Sequence, residues 1–324
     1  MGRTLTNPIV KSCDAGDPWV LRHDGCYYFT ATLEPEGGIW LWRSPTLSGL
    51  DDGDKRLIWR TEPSGPLSAQ VWAPELHVLE GTPYVYFTAS DGVDDRHRHW
   101  VLRGLTPDPL GPYAPPERVD PDLEAYGIDG TVLRLADGQL YFLWATGSLW
   151  IAPMESPTRV KGERVRIVRG DLEWERGWVK EQDGFWRPWE WGWIEAPQAL
   201  LRGGRVFVAY SAGHSATEHY RVGLLELVGD DPLDPASWVK SPQPVFEGCC
   251  TPQGDVFTTG HCSFTTSPDG TEDWIVYHAK DARDGDFVGR TARAQPFRWR
   301  DDGTPDLGRP VPAGVPIPVP SGEP

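Results

Sequence analysis

One pattern recurs five times along this chain and leaves few folds open to it. A polar residue opens a strand, a tight turn follows, and a second strand is dense in aromatic and small side chains. The copies cover residues 17–32, 73–90, 129–146, 195–212 and 261–279. Their opening polar residues are Asp17, Glu75 (within Ala73-Pro-Glu), Asp129, Glu195 and His261. Asp24-Gly25, Asp137-Gly138 and Asp269-Gly270 mark the turns of three copies, where left-handed backbone is needed. The copies begin about 55 to 66 residues apart. That is somewhat more than the roughly 40–50 residues of common propeller blades, and enough for four strands of five or six residues. The spacing predicts an all-β fold, a five-bladed β-propeller. A two-sheet sandwich is the rival, but five copies of one hairpin are hard to place in it.

Composition agrees. Seventeen Trp, ten Tyr and ten Phe stand beside 36 Gly and 32 Pro, a mixture that suits many short strands and turns. No stretch carries a sustained helical period with caps. The chain reads as a single domain over residues 1–324, with a proline-rich, extended tail over about 306–324. A net charge of −16 argues against a nucleic-acid partner and against an anionic membrane surface. A neutral ligand fits better, although acidity also confers solubility by itself. The five cysteines are odd in number, contain no Cys-x-x-Cys pair and read as reduced. No apolar run reaches membrane-spanning length, and the N-terminal residues lack the apolar core of a leader. The expectation is a cytoplasmic protein, or a secreted one if a leader has been removed.

Within this frame, Gly38–Pro45, Trp100–Arg103, Leu149–Met154 and Tyr220–Leu227 read as third strands of four blades. Between about 171 and 191 lies an insertion containing Trp174, Trp178, Trp186, Trp189 and Trp191. Two readings stay open for it: packing on a rim, or a platform or lid that stacks on sugar rings. The His97–His99 segment, set among arginines, reads as a solvated loop. Asp14 reads as a turn residue, since Asp17 heads the alternating strand better.

The inner strands of a propeller line its axis, so their first residues converge at one mouth. Asp17, Glu75, Asp129, Glu195 and His261 would therefore share a small area, with Glu75 read there as a structural hydrogen-bonder. Grouped carboxylates raise one another's pKa values and need a reason, such as catalysis or a cation. A carboxylate pair is also what glycoside hydrolysis requires: one protonates the departing oxygen, while the other activates water or attacks the sugar.

Read together, Asp17-Pro-Trp-Val-Leu, Val71-Trp-Ala-Pro-Glu-Leu, Ile128-Asp-Gly-Thr-Val, Ile194-Glu-Ala-Pro-Gln and Gly260-His-Cys-Ser-Phe resemble glycoside hydrolase family 43. Arg290-Thr-Ala-Arg-Ala-Gln-Pro-Phe and Asp302-Gly-Thr-Pro extend the likeness over nearly the whole chain. The resemblance implies a five-bladed propeller acting on arabinose- and xylose-containing glycans. It also implies Asp17 as general base, Glu195 as general acid and Asp129 as the group that orients the acid and raises its pKa. Inversion by single displacement would follow, with the two carboxyls roughly 6.5–9.5 Å apart. It further implies Arg293 as a substrate-binding arginine, with Arg290 the competitor, and Trp72 and Trp19 beside the sugar. His261 is implied either as a hydrogen-bonding channel residue or as the water-mediated holder of one calcium or other cation; no organic cofactor is expected. Cys262, following His261, departs from the usual pattern. The activity implied is exo-acting release of a terminal pentose, most plausibly α-L-arabinofuranose. The alternatives are a β-xylosidase, an arabinanase, or a non-catalytic carbohydrate-binding propeller.

Overall fold

The computed structural model describes residues 2–33, 36–283 and 285–324; Met1, Glu34, Pro35 and Asp284 lie outside the described residues. Five antiparallel sheets follow one another, each built from consecutive strands, which gives the five blades. Blade one comprises Gly16–His23, Cys26–Thr32, Gly38–Ser44 and Asp54–Arg60. Blade two comprises Ala69–Leu79, Thr82–Ser90, Arg98–Arg103 and Glu117–Arg118. Blade three starts at Ile128–Arg134, blade four at Ile194–Arg202 and blade five at Gly254–Thr266. The only helical elements among the described residues are four short 3-10 turns.

The second strand of each blade is buried on both faces, because neighbouring blades pack against it. Cys26–Thr32, Thr82–Ser90, Arg205–Ala212 and Asp273–Lys280 are buried along almost their whole length. This explains why they read as near-continuous apolar and aromatic runs rather than alternating ones. Three of these hairpins turn on left-handed pairs: Asp24 and Gly25 have φ of 45° and 75°, and Glu80 and Gly81 have 50° and 77°. Gly203 and Gly204, at 58° and 83°, do the same in blade four.

The proline-rich tail runs along blades five and one and meets the N-terminal segment. Pro316–Pro318 pairs antiparallel with Thr4–Thr6. Asn7 acts as a substitute peptide unit on blade five, donating to Ala294 O and accepting from Ala294 N. Leu5, Ile9, Val10 and Ile317 then join a core shared by blades one and five. The five cysteines are free thiols.

Candidate active site

The inner strand of every blade breaks register, near its start in blades one, three and four and farther along in blades two and five. The breaks fall between Gly16 and Trp19, Trp72 and Glu75, Ile128 and Thr131, Glu195 and Gln198, and Gly260 and Ser263. At each break a non-glycine residue adopts left-handed backbone: Asp17 (φ 54°), Ala73 (45°), Asp129 (55°), Ala196 (54°) and His261 (44°). Such a conformation costs on the order of 1–3 kcal/mol and persists only where its surroundings hold it. Bulges of this kind re-aim side chains, and here they bring Asp17, Asp129, Glu195 and His261 onto one cavity.

Each bulge also takes an N–H out of the ladder, and in four blades a side chain from the preceding blade captures it. Asp17 N donates to His278 Nδ1, Ala73 N to Thr32 Oγ1, Ala196 N to Asp129 Oδ2 and His261 N to Ser211 Oγ. Asp129 thus braces the bulge that presents Glu195.

The cavity holds about 930 Å3. On one side Asp17 Oδ1 meets Arg290 Nη1 at 2.9 Å and His261 Nδ1 at 3.2 Å. Arg290 reaches it by lying across Gly16, where a Cβ would stand 2.5 Å from the guanidinium carbon; this approach requires glycine. On the other side Glu195 accepts from Trp193 Nε1 at 2.7 Å and from Tyr220 Oη at 2.8 Å.

These partners separate the acids electrostatically. Burial by itself would raise Asp17, but the Arg290 guanidinium and the His261 imidazolium outweigh it and hold the carboxyl well below the usual range. Burial likewise opposes charge on His261, yet the carboxylates of Asp17, Asp129 and Glu195 raise it to about 9. Asp129 is pushed up to about 8 by burial, then by the charges of Glu195 and Asp17. Burial also raises Glu195, against the hydrogen bonds from Trp193 and Tyr220. Asp129 and Glu195 therefore titrate as a pair that keeps a proton near neutrality. One ionised base and one protonated acid pair face each other across the cavity.

Asp129→Asn tests this coupling. Removing one negative charge ends the mutual repulsion, so Glu195 releases its proton at lower pH. The alkaline limb of the kcat/KM profile is expected to move down, with kcat lowered on the order of 10²-fold. An unmoved limb would leave Asp129 with only its bracing role.

Trp72 lines the cavity, as expected, and its indole stacks on His97 at 4.0 Å. His97–His99 is therefore not a solvated loop. The 3-10 turn at Asp94–Arg96 folds the chain back, so that His97 is fully buried behind Trp72 and His99 packs against Phe142. Trp19 is not a cavity residue: its indole donates to Leu76 O in the seam with blade two. Glu75 is also displaced from the mouth. The bulge at Ala73 pushes it deeper, where Gln198 donates to it and His77 lies 3.0 Å away. Arg293 is corrected too. It lies on strand Thr291–Trp299 with its side chain buried inside blade five, bonded to Asp281 and Thr291. Arg290, just ahead of that strand, is the arginine on the cavity. Asp14 is a rim residue that accepts from Gly289 N.

Sequence reasoning missed Trp193, Tyr220 and His278. Trp193 stands two positions before Glu195 on an extended segment, so both project to the same side. That signal was available. Tyr220 and His278 come from other strands and carry no local signal.

The Trp-rich insertion is a hairpin, Arg176–Lys180 with Trp186–Gly192. Trp178 stacks on His219 at 3.9 Å, Trp186 packs on His214 at 4.3 Å, and Trp186 Nε1 donates to Gly285 O. So fastened, the hairpin gives Gly177, Trp178, Val179 and Trp189 to the cavity wall. Trp191 projects to solvent.

The cation expected at His261 would be held through water: calcium takes six to eight oxygen ligands, and His261 Nδ1 is engaged by Asp17 at 3.2 Å. Among the described residues no group of three or more His, Cys, Asp or Glu is arranged to hold a metal.

Residues 5–305 match the family model Glycosyl hydrolases family 43. The chain is 39% identical to Alpha-L-arabinofuranosidase 43 of Humicola insolens, over 94% of this chain and 63% of that protein. It is 38% identical to an Extracellular exo-alpha-(1->5)-L-arabinofuranosidase of Streptomyces chartreusis, over 85% of this chain and 82% of the relative. The chain thus spans a little under two thirds of the Humicola relative's length. Its fold superposes on the crystal structure of an alpha-L-arabinofuranosidase from Lactobacillus brevis with a TM-score of 0.85 at 33% identity, covering 96% of this chain and 98% of that one. The expectation of a cytoplasmic protein is overturned: relatives from two Streptomyces species are extracellular by name. On its sequence, its bladed ring and its axial acids, the chain belongs to glycosyl hydrolase family 43.

Proposed function

We propose that this protein is an inverting, exo-acting glycosidase that removes a terminal pentose from arabinofuranoside- or xylan-type glycans, as one catalytic domain. The observation carrying this reading is the separation of one strongly ionised carboxylate, Asp17, from a proton-holding pair, Asp129 and Glu195, across a shared cavity. Asp17 takes a proton from water as the water oxygen bonds to the anomeric carbon. The glycosidic bond breaks, and Glu195 gives its proton to the departing oxygen. Asp129 keeps that proton on the pair until then. Arg290 and His261 hold Asp17 ionised, and no step runs through a metal.

Arabinofuranose is supported as the first sugar to test by the four arabinofuranosidase relatives. The β-xylosidase and arabinanase alternatives share this catalytic set, so the substrate panel includes them. Release of p-nitrophenol from α-L-arabinofuranoside and β-D-xyloside, with arabinan and arabinoxylan alongside, tests the activity against Glu195→Gln. The configuration of the freshly released sugar, read by NMR, tests inversion. A wild type inert on the whole panel, with the variant no different, would leave a carbohydrate-binding propeller.

The cavity is several times larger than one pentose, and Trp189 offers a flat apolar face suited to sugar rings. Trp189→Ala is expected to raise KM for an arabino-oligosaccharide about tenfold, equivalent to about 1.4 kcal/mol of binding. The check is KM for oligosaccharide against KM for the aryl glycoside; equal rises on both would place the effect at the reacting sugar.

A further inference from the structure

Glu175 is a fully buried carboxylate that the chemistry above does not use. It sits at the root of the Trp-rich hairpin, outside the five sheets. Burying a carboxylate is costly unless every oxygen is satisfied, and here both are. Oε2 accepts from Asp171 N at 2.8 Å, Leu172 N at 2.9 Å and Lys240 Nζ at 2.8 Å. Oε1 accepts from Tyr210 Oη at 2.6 Å. Lys240 also bonds Asp171 and Arg169 O, so three chain segments meet at one point.

From that point a short chain of contacts runs to the catalytic cavity. The Glu175 carbonyl accepts from Trp193 N at 2.9 Å. The Trp193 carbonyl in turn accepts from Gly213 N, and its ring packs over Gly147, where a Cβ would lie 2.8 Å from it. The indole so fixed donates from Nε1 to Glu195 Oε2. We infer that Glu175, anchored by Lys240 and Tyr210, is a positioning residue that sets the direction of the proton donor through Trp193. The inference rests on the reading of Glu195 as the acid.

The groups facing Glu195 are Trp193 on its own segment, Tyr220 of blade four, Asp129 of blade three with Tyr126 just ahead of its inner strand, Asp17 of blade one and His261 of blade five. Of these, Trp193 alone is tied to the strut. An N–H donated to a carboxylate favours its ionised form. Loosening that bond therefore lets Glu195 keep its proton to higher pH, and the alkaline limb moves up, opposite to the shift for Asp129→Asn.

A double-mutant cycle in the full chain tests the inference, using Glu175→Gln, Trp193→Phe and both together on an arabinofuranoside that the wild type cleaves. Each single variant is expected to lower kcat on the order of tenfold to a hundredfold, to leave KM within about twofold, and to raise the alkaline limb. The double variant is expected to be no worse than Trp193→Phe, since both changes act on one contact. Multiplying losses, or a Glu175→Gln variant that loses thermal stability with its limb unmoved, would overturn the inference. Should Glu175→Gln not fold, Lys240→Gln at the outer end of the strut gives the same readouts. A wild type without glycosidase activity would instead sink the reading of Glu195.

Discussion

Glu195→Gln is expected to lower kcat on natural pentosides on the order of 10³-fold, the range that a positioned general acid supplies. The amide preserves the shape of the carboxyl. Its oxygen can still accept from Trp193, so KM should change little. What disappears is the transferable proton. The loss must then depend on the departing group, because a good one leaves without protonation. On a 2,4-dinitrophenyl glycoside the loss is expected to shrink to about tenfold or less, whereas on an alkyl or sugar leaving group it stays whole. Parallel rate measurements on the two substrate types decide the matter: equal losses would mean that Glu195 does not donate the proton.

Asp17→Asn is expected to abolish turnover to a similar extent, on the order of 10³-fold, with little change in binding. The departing group should make no difference here, since the lost step is activation of water. A loss under about tenfold would contradict the role. The same substitution has a second readout. His261 owes its raised pKa largely to Asp17, after burial has opposed it. A group raised in the folded state adds stability below its ordinary value near 6.5, and that contribution is lost as pH rises towards about 9. Wild-type melting temperature is therefore expected to fall across this window from the His261 contribution, and the fall should flatten in Asp17→Asn. A slope unaltered by the substitution would separate His261 from Asp17.

Much of this was legible in the sequence, and the exceptions have physical reasons. The five hairpins were readable because blade packing forces the second strands to be apolar on both faces, as in Cys26–Thr32 and Asp273–Lys280. Asp17, Asp129, Glu195 and His261 were readable because each opens a copy of the repeat, even though His261 lies midway along its strand. Glu75 is the structural hydrogen-bonder that was expected, but it lies deeper than the mouth because the bulge at Ala73 shifts the register that strand counting assumes. Arg290 and Arg293 could not be separated by pattern, since only the start of strand Thr291–Trp299 decides which faces the cavity. Tyr220 acts from a distant part of Glu195's own blade, His278 across blades and Glu175 through the hairpin, and no local spacing reports such contacts. The extracellular character of the Streptomyces relatives was not legible here, because it is a property of those proteins and not of this chain's composition.

The left-handed bulges carry a consequence for lineages that abandon hydrolysis. At Asp17 and Asp129 the polypeptide holds an uncomfortable posture for the sake of two side chains. Once turnover no longer matters, glycine at Asp129 relaxes the backbone and removes a costly buried carboxyl, at the loss of its brace on Ala196 N, whereas glycine at Asp17 also strands Arg290 and His261 without their counter-charge. Drift in a silent descendant should therefore reach glycine at Asp129 before Asp17.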